Sequence, residues 1–351
     1  MKKKAVTIYD IAQRLGLSPS TISRALRSDH RINANTIELV NKAAREMNYQ
    51  SNRVAAGLRG GSTRTIGIMV PLIARQFFAN AISGISEVAR QRGFQVVITQ
   101  CNEKLEVEKE NVAALTSARV DGIIASLGME TKNIAHFDHL LRRHFPLVFF
   151  DRVVMDAAAS RVTVTDEDSA YAAVRHLIDG GAQRIAHLSG PEHINIYQGR
   201  QRGYQRALAQ AGLEEDPELR VPNCLVEDRG YEAGSYLMQL AQPPDAVFSA
   251  SDFSALGFIN YCRTHGIAVP GDVSIVGFAN EPFTKIMHPE LSSVEQFSGR
   301  MGTAAAELLF EQIDSEETEP SPRHIVIEGE LRIRTSSSPK ASVTVPQRLI
   351  V

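Results

Sequence analysis

Residues 7–27 read TIYDIAQRLGLSPSTISRALR, and this stretch decides what the amino-terminal end must be. Thr7 and Asp10 stand three apart, the spacing of a capping box, with the carboxylate in the positive first turn of a helix. Ile8, Ile11, Ala12 and Leu15 recur at helical period and give one apolar face. Gly16 supplies a residue that can take φ > 0 and end the helix. Ser18 suits an N-cap, and Pro19 suits the first helical position, where its missing N–H costs nothing. Ile22, Ala25 and Leu26 then point inward, leaving Ser20, Ser23, Arg24 and Arg27 outside. Two short helices around a glycine turn, the second presenting arginine, make a helix-turn-helix. Its second helix fits a DNA major groove.

The charge distribution supports this over a hairpin that merely packs. Residues 1–60 hold 11 Lys and Arg against 4 Asp and Glu, whereas the rest of the chain holds 27 against 36. A basic head on an acidic body is the footprint of a module that neutralises phosphates. A third helix is expected over Thr36–Met47, where Ile37, Val40, Ala44 and Met47 form a stripe that closes a three-helix core. Asn52–Gly60, NRVAAGLRG, is too short to hold a helix alone in water, and Gly57 costs a further ~1 kcal/mol relative to Ala. These residues by themselves fit a segment ordered by a partner and a plain flexible linker equally well.

At 351 residues, two or three domains are expected. A hydrophobic fraction of 43% and a charged fraction of 22% are those of a soluble globular chain. No apolar run approaches a membrane span, and Lys2–Lys4 leads into no signal-peptide core. Cys101, Cys224 and Cys262 lie far apart without a CxxC, so reduced thiols and a cytoplasmic location are expected. From Arg64 onward, short β-rich runs alternate with helical patterns. Such βαβ grammar implies parallel sheets covered by helices, here as two doubly wound lobes.

Catalytic and metal chemistry find little footing. His136, Asp138, His139 and His144 fit an amphipathic surface helix and lack a second ligand cluster. His187, Ser189 and Asp166 lack a GxSxG elbow. There is no P-loop and no GxGxxG after a strand. The expectation is a non-enzyme with no cofactor and no metal.

The order VTIYDIAQRLGLSPSTISRAL, NYQSNRVAAGLRG, IGIMVP resembles the lactose-repressor (LacI/GalR) family of bacterial transcription regulators. The body adds RVDGIIA (119–125), FFDR (149–152), HLSGP (187–191), SASDFSALGF (249–258) and VPGDVSIVGFAN (269–280). The resemblance runs from Val6 to about Arg334. It implies an all-α helix-turn-helix head (1–50), a hinge (51–63) and an α/β body like periplasmic binding proteins (64–335). The lobes are expected at about 64–162 plus 292–322 and about 163–291 plus 323–335, followed by a disordered tail (336–351).

The resemblance further implies a homodimeric repressor, with no membrane partner, that binds double-stranded operator DNA under control of a small-molecule effector, most simply a sugar. Base readers map onto Pro19, Ser20 and Arg24, with Thr21, Ser23 and Asn52 at phosphate or hinge contacts. Leu58 is the minor-groove wedge. Thr7, Ser18, Arg53 and Ala55 complete the expected DNA-contacting set. Effector contacts map onto Gln76, Phe77, Phe78, Asp151, Arg152, Arg200, Ser251, Asp252, Asn280 and Gln296, at strand ends and crossovers where open α/β sheets bind ligands. Two departures alter recognition: Ala279 stands where the family often has aspartate, and Ile194 where it often has a polar residue. A periplasmic-type binding protein is opposed by the head, and a sugar-modifying enzyme by the lack of any catalytic constellation.

Overall fold

Ile8–Leu15 (α1), Pro19–Ala25 (α2) and Ala34–Glu46 (α3) build the amino-terminal unit, within Met1–Thr63. The computed structural model describes residues 6–26, 29–49, 62–315 and 321–337. Asp10 accepts hydrogen bonds from the Thr7 amide and hydroxyl, both at 2.7 Å, so the first helix is capped as its sequence suggests. Gly16 takes φ 66 and turns the chain. Ser18 accepts from the Thr21 amide at 3.1 Å and starts α2. Ile11, Ala12, Ile22, Ala25, Val40, Ala43 and Ala44 are buried together as one small core.

Arg64–Val351 forms the second unit. Its first half runs Thr65–Val70 (β1), Gln76–Gln91 (α4), Gln95–Gln100 (β2), Leu105–Ser117 (α5), Gly122–Ala125 (β3), Asp138–Leu141 (α6), Leu147–Phe150 (β4) and Ser160–Val164 (β5). Asp166–Asp179 (α7), Ile185–Leu188 (β6), Asn195–Gln210 (α8), Arg220–Val221 (β7), Glu227–Leu237 (α9), Ala246–Ser249 (β8), Asp252–Thr264 (α10), Ser274–Phe278 (β9) and Ser292–Glu295 (β10) follow. Ser298–Asp314 (α11), His324–Ile327 (β11) and Glu330–Arg332 (β12) end it. Two six-stranded sheets result, in the orders β11-β5-β4-β3-β1-β2 and β12-β10-β9-β8-β6-β7. Every pairing is parallel except β10 with β12. The central strands, such as Gly122–Ala125, Leu147–Phe150, Ile185–Leu188 and Ala246–Ser249, are short runs buried on both faces, as helix-covered parallel sheets require.

The chain passes from one sheet to the other three times: after β5, after β10 and between β11 and β12. This corrects the expected lobe borders. Ser292–Glu295 pairs with Ser274–Phe278 and belongs to the second sheet, and only α11 returns to the first. His324–Ile327 pairs with Ser160–Val164 in the first sheet, not the second. Four-residue strands carry no mark in their sequence of which sheet they join; long-range register decides it.

Two further expectations are revised. Ser336 and Ser337 are not part of a loose tail. Ser336 is fully buried, and its hydroxyl donates to the Ile275 carbonyl at 2.7 Å. The expected surface helix at 136–144 is a 3-10 turn at Ala135–Phe137 followed by α6, and His136 turns inward to Glu108 at 2.8 Å. The hinge residues Asn52, Arg53, Ala55 and Leu58, and the tail beyond 337, lie outside the described residues.

Candidate DNA interface and ligand cleft

The outer face of α2 carries the polar groups that the sequence placed there. Ser18, Ser20 and Arg24 are exposed, and Pro19, Thr21 and Ser23 are half-buried. The Ser18 hydroxyl lies 2.8 Å from both the Ser20 and Thr21 hydroxyls, a cluster fixed by the cap at the helix start. The Arg24 guanidinium makes no hydrogen bond or ion pair with the described residues, while Ile22 and Ala25 anchor its helix in the core. Its five donors are therefore available, and guanine offers the matching pair of acceptors in a major groove. Thr7 faces Asp10 as a cap, which is its evident structural work.

In the body, a cavity of about 280 Å³ opens where carboxyl ends of strands from both sheets converge. Phe77 and Phe78 reach it from α4, Asp151 and Arg152 from the end of β4, Arg200 from α8, Ser251 and Asp252 from the end of β8, and Gln296 from the crossover after β10. Eight of the ten expected effector positions thus come together. Gln76 and Asn280 do not line it. Gln76 faces Asn80 at 2.7 Å, and Asn280 is bound to Glu295 and Arg334. Their neighbours Arg75, Ala279 and Glu281 take the places, since adjacent residues in such segments point in widely different directions.

The polar groups of this cleft divide into committed and open ones. Arg200, expected as an effector contact, is largely committed within the protein. Its Nε donates to Asp166 Oδ1 at 2.9 Å, its Nη1 donates to the Ala250 carbonyl at 2.8 Å, and the Phe278 ring lies 3.7 Å from its guanidinium. Arg152 Nη1 donates to Glu103 at 2.7 Å. Asp252 accepts from the Ser293 hydroxyl at 2.7 Å and the Glu281 amide at 2.8 Å, so both its oxygens are taken and it braces β9 and β10. Ser251 caps α10 and donates to the Leu225 carbonyl.

Asp151, Glu281 and Gln296 line the cavity without any side-chain hydrogen bond to the described residues, as does Arg200 Nη2. Asp151 sits at φ 60, a conformation tolerated by Asp and Asn and typical of functional sites. Its carbonyl accepts from Asn195 Nδ2 at 3.0 Å, and its amide donates to the Val162 carbonyl, which fixes it at the strand end.

Burial pushes three carboxyls up: Asp151 to about 7 against the pull of Arg152, Asp166 to about 6 against Arg200, and Asp252 to about 7 against its Ser293 hydrogen bond. Glu281 is also raised by burial. Across the mouth, the Arg75 guanidinium of one lobe lies 3.9 Å from the Phe253 ring centroid of the other. Opposite that contact, Asn195 joins the lobes through the Asp151 carbonyl and the Val153 amide.

Sequence reasoning missed Arg75, Glu103, Tyr197, Phe253 and Glu281, all of which line the cavity. Arg75, Phe253 and Glu281 each lie next to a residue it chose; the phase was off by one at Gln76 and Asn280, and right at Asp252. His187 and Asp166 belong to separate contacts, His187 with Gln201 and Asp166 with Arg200.

Comparison with known proteins follows the same division. Residues 7–52 match the model for bacterial regulatory proteins, lacI family, and residues 174–337 match a periplasmic binding protein-like domain. The HTH-type transcriptional repressor CytR of Escherichia coli (strain K12) is 30% identical over 336 residues, covering 96% of this chain and 97% of the relative. The chain belongs to the lacI family. Catabolite control protein A of Priestia megaterium is likewise 30% identical, over 90% of this chain and 95% of its own length. Among solved structures of the lacI family, a lac repressor dimer bound to operator and the anti-inducer ONPF superposes with a TM-score of 0.85 at 25% identity, covering 95% and 99% of the two chains. A CelR–cellobiose complex gives 0.72 at 28%, over 94% and 99%. The chain is accordingly a DNA-binding transcriptional regulator and not an enzyme, and no helix among its described residues is long and apolar enough to cross a membrane.

Proposed function

We propose that this protein is a cytoplasmic repressor that binds operator DNA as a dimer and that a polyhydroxy small molecule in the body cleft sets its operator affinity. Arg24 reads a base in each half-site, with Pro19, Ser20, Thr21, Ser23 and Ser18 fitting the same groove. Asn52, Arg53, Ala55 and Leu58 engage the operator centre. Asp151, Arg200, Gln296 and the wall of Phe77 and Phe78 hold the effector, supported by Arg152, Ser251 and Asp252.

The observation that carries the cleft reading is the set of open polar groups at converging strand ends. Asp151, Gln296 and Arg200 Nη2 offer both acceptors and donors beside aromatic faces, the mixture that hydroxyl-rich rings satisfy. The relatives' names support the pairing of operator and sugar: one structure is a lac repressor dimer on operator, another a complex with cellobiose. A gel shift with a palindromic duplex, run with and without a panel of sugars, tests it. A shifted duplex whose affinity changes with a sugar is expected; a duplex that binds identically under every sugar contradicts the effector assignment.

A further inference from the structure

The charge arrangement of the cleft narrows the ligand class, and this inference rests on the reading of the cleft as an effector site. Five carboxyl groups, Glu103, Asp151, Asp166, Asp252 and Glu281, line or back the cavity against three guanidiniums, Arg75, Arg152 and Arg200. Two of those guanidiniums are committed in buried ion pairs, Arg152 to Glu103 and Arg200 to Asp166. Arg75 stacks on Phe253, with Glu281 the acid it acts on. Asp252 is satisfied by neutral donors.

Asp151 is left. It is 4% exposed, accepts no side-chain hydrogen bond from the described residues, and faces the cavity from a backbone conformation held on both sides by hydrogen bonds. A buried carboxylate without a donor is a group whose partner has yet to arrive.

We propose that the effector carries a protonated amine, in the class of amino sugars, with its ammonium against Asp151 and its hydroxyls toward Gln296 and Arg200 Nη2. An ammonium supplies three donors and one positive charge to a carboxyl group that accepts no side-chain hydrogen bond from the described residues, in a cleft where carboxyls outnumber guanidiniums. A uronic acid or a sugar phosphate would add negative charge where carboxyls already outnumber guanidiniums, and where Arg152 and Arg200 each already donate to a carboxylate.

Isothermal titration of the full chain with glucosamine, glucose and glucuronate, and with the three galacto-configured counterparts, tests this. At least one amino sugar should bind about tenfold or more tightly than its neutral parent, the margin of a charge-assisted hydrogen bond. The uronates should bind more weakly than both. Asp151→Asn keeps a residue tolerated at φ > 0 and should erase the amine preference; the wild-type series decides even if that variant does not fold. A neutral or acidic hexose that binds as tightly as its amine, a series in which no amino sugar binds, or a preference that survives Asp151→Asn overturns the inference. The two readings fail separately. A neutral or acidic hexose that alters operator affinity leaves the effector site standing and removes the amine, whereas an amino sugar that binds without altering operator affinity keeps the amine and removes the regulatory role.

Discussion

The DNA-facing helix and the body cleft each present an arginine, and they do so in opposite ways. Arg24 stands exposed on α2 with its guanidinium unengaged by the described residues. Arg200 is 4% exposed, and Asp166, the Ala250 carbonyl and the Phe278 ring hold it in place. An open surface cation suits a partner that arrives with its own dense charge and displaces counterions. A pre-paired cation suits a small ligand, because a buried guanidinium without a partner would cost several kcal/mol that a small ligand would have to offset. Recognition of DNA therefore rests on free groups over a small rigid core, and recognition of the ligand on few open groups in a mostly satisfied frame.

The largest effect should come from breaking that frame. Arg200→Ala leaves the buried Asp166 without its ion-pair partner, and denaturant unfolding of the body should show a loss of about 3–5 kcal/mol. A loss below about 1 kcal/mol would mean that Asp166 finds water or another donor and that the pair is not structural.

Asp151 is the converse, a buried carboxyl with no side-chain hydrogen bond to the described residues. Its carboxyl sits at about 7 in the fold against an ordinary value of 3.8. Between these values the folded state holds a proton that the unfolded chain releases, so this group makes the body less stable as pH rises through that window. Asp151→Asn should flatten part of the slope and add about 1–4 kcal/mol at the alkaline end, leaving the contributions of Asp166 and Asp252 in place. Urea unfolding on both sides of the window checks it, and a variant with the full wild-type slope would place the titration elsewhere.

On the head, Arg24→Ala should weaken specific operator binding by about 1–3 kcal/mol and relax preference at one base per half-site. The fold should change by no more than about 0.5 kcal/mol, because the side chain is exposed and makes no hydrogen bond or ion pair with the described residues. Equal losses on specific and random duplexes would make it a phosphate contact.

The smallest effect is expected at the mouth of the cleft. Phe253→Ala removes the face on which Arg75 lies, an interaction of about 0.5–2 kcal/mol, and should speed ligand release by a corresponding few-fold while the association rate changes less. Unchanged release in stopped flow would show that the other contacts between the lobes, the Asn195 bridge and His193 on the Met129 carbonyl, hold them without it.

The head was legible because its signals are local. Thr7 with Asp10, Gly16, and Ser18 with Pro19 act within one turn, and the structure uses each of them there. The body's strands were legible as apolar runs, and Gly122–Ala125, Leu147–Phe150 and Ala246–Ser249 fall where the runs end. Sheet membership was not, because Ser292–Glu295 and His324–Ile327 are assigned by partners more than ten residues and more than a hundred residues away respectively. The Arg200–Asp166 pair joins residues 34 positions apart, and no periodicity announces it. At the cleft, eight of the ten chosen residues line the cavity, and the other two fall one position out of phase in the right segment, Gln76 beside Arg75 and Asn280 beside Glu281. Phase at a strand end depends on backbone angles such as the φ of 122 at Ala279, which a sequence does not display.

The central claim is that head and cleft are energetically coupled through the chain, and linkage gives it a direct test. If a cleft ligand changes operator affinity by some factor, operator DNA must change ligand affinity by the same factor, typically 5–150-fold. Calorimetric ligand binding should be measured on the protein alone and on the protein saturated with operator duplex. The account predicts two dissociation constants whose ratio equals the ligand-induced change in operator affinity. A ligand that binds the cleft equally well with and without operator would show two independent sites and contradict it.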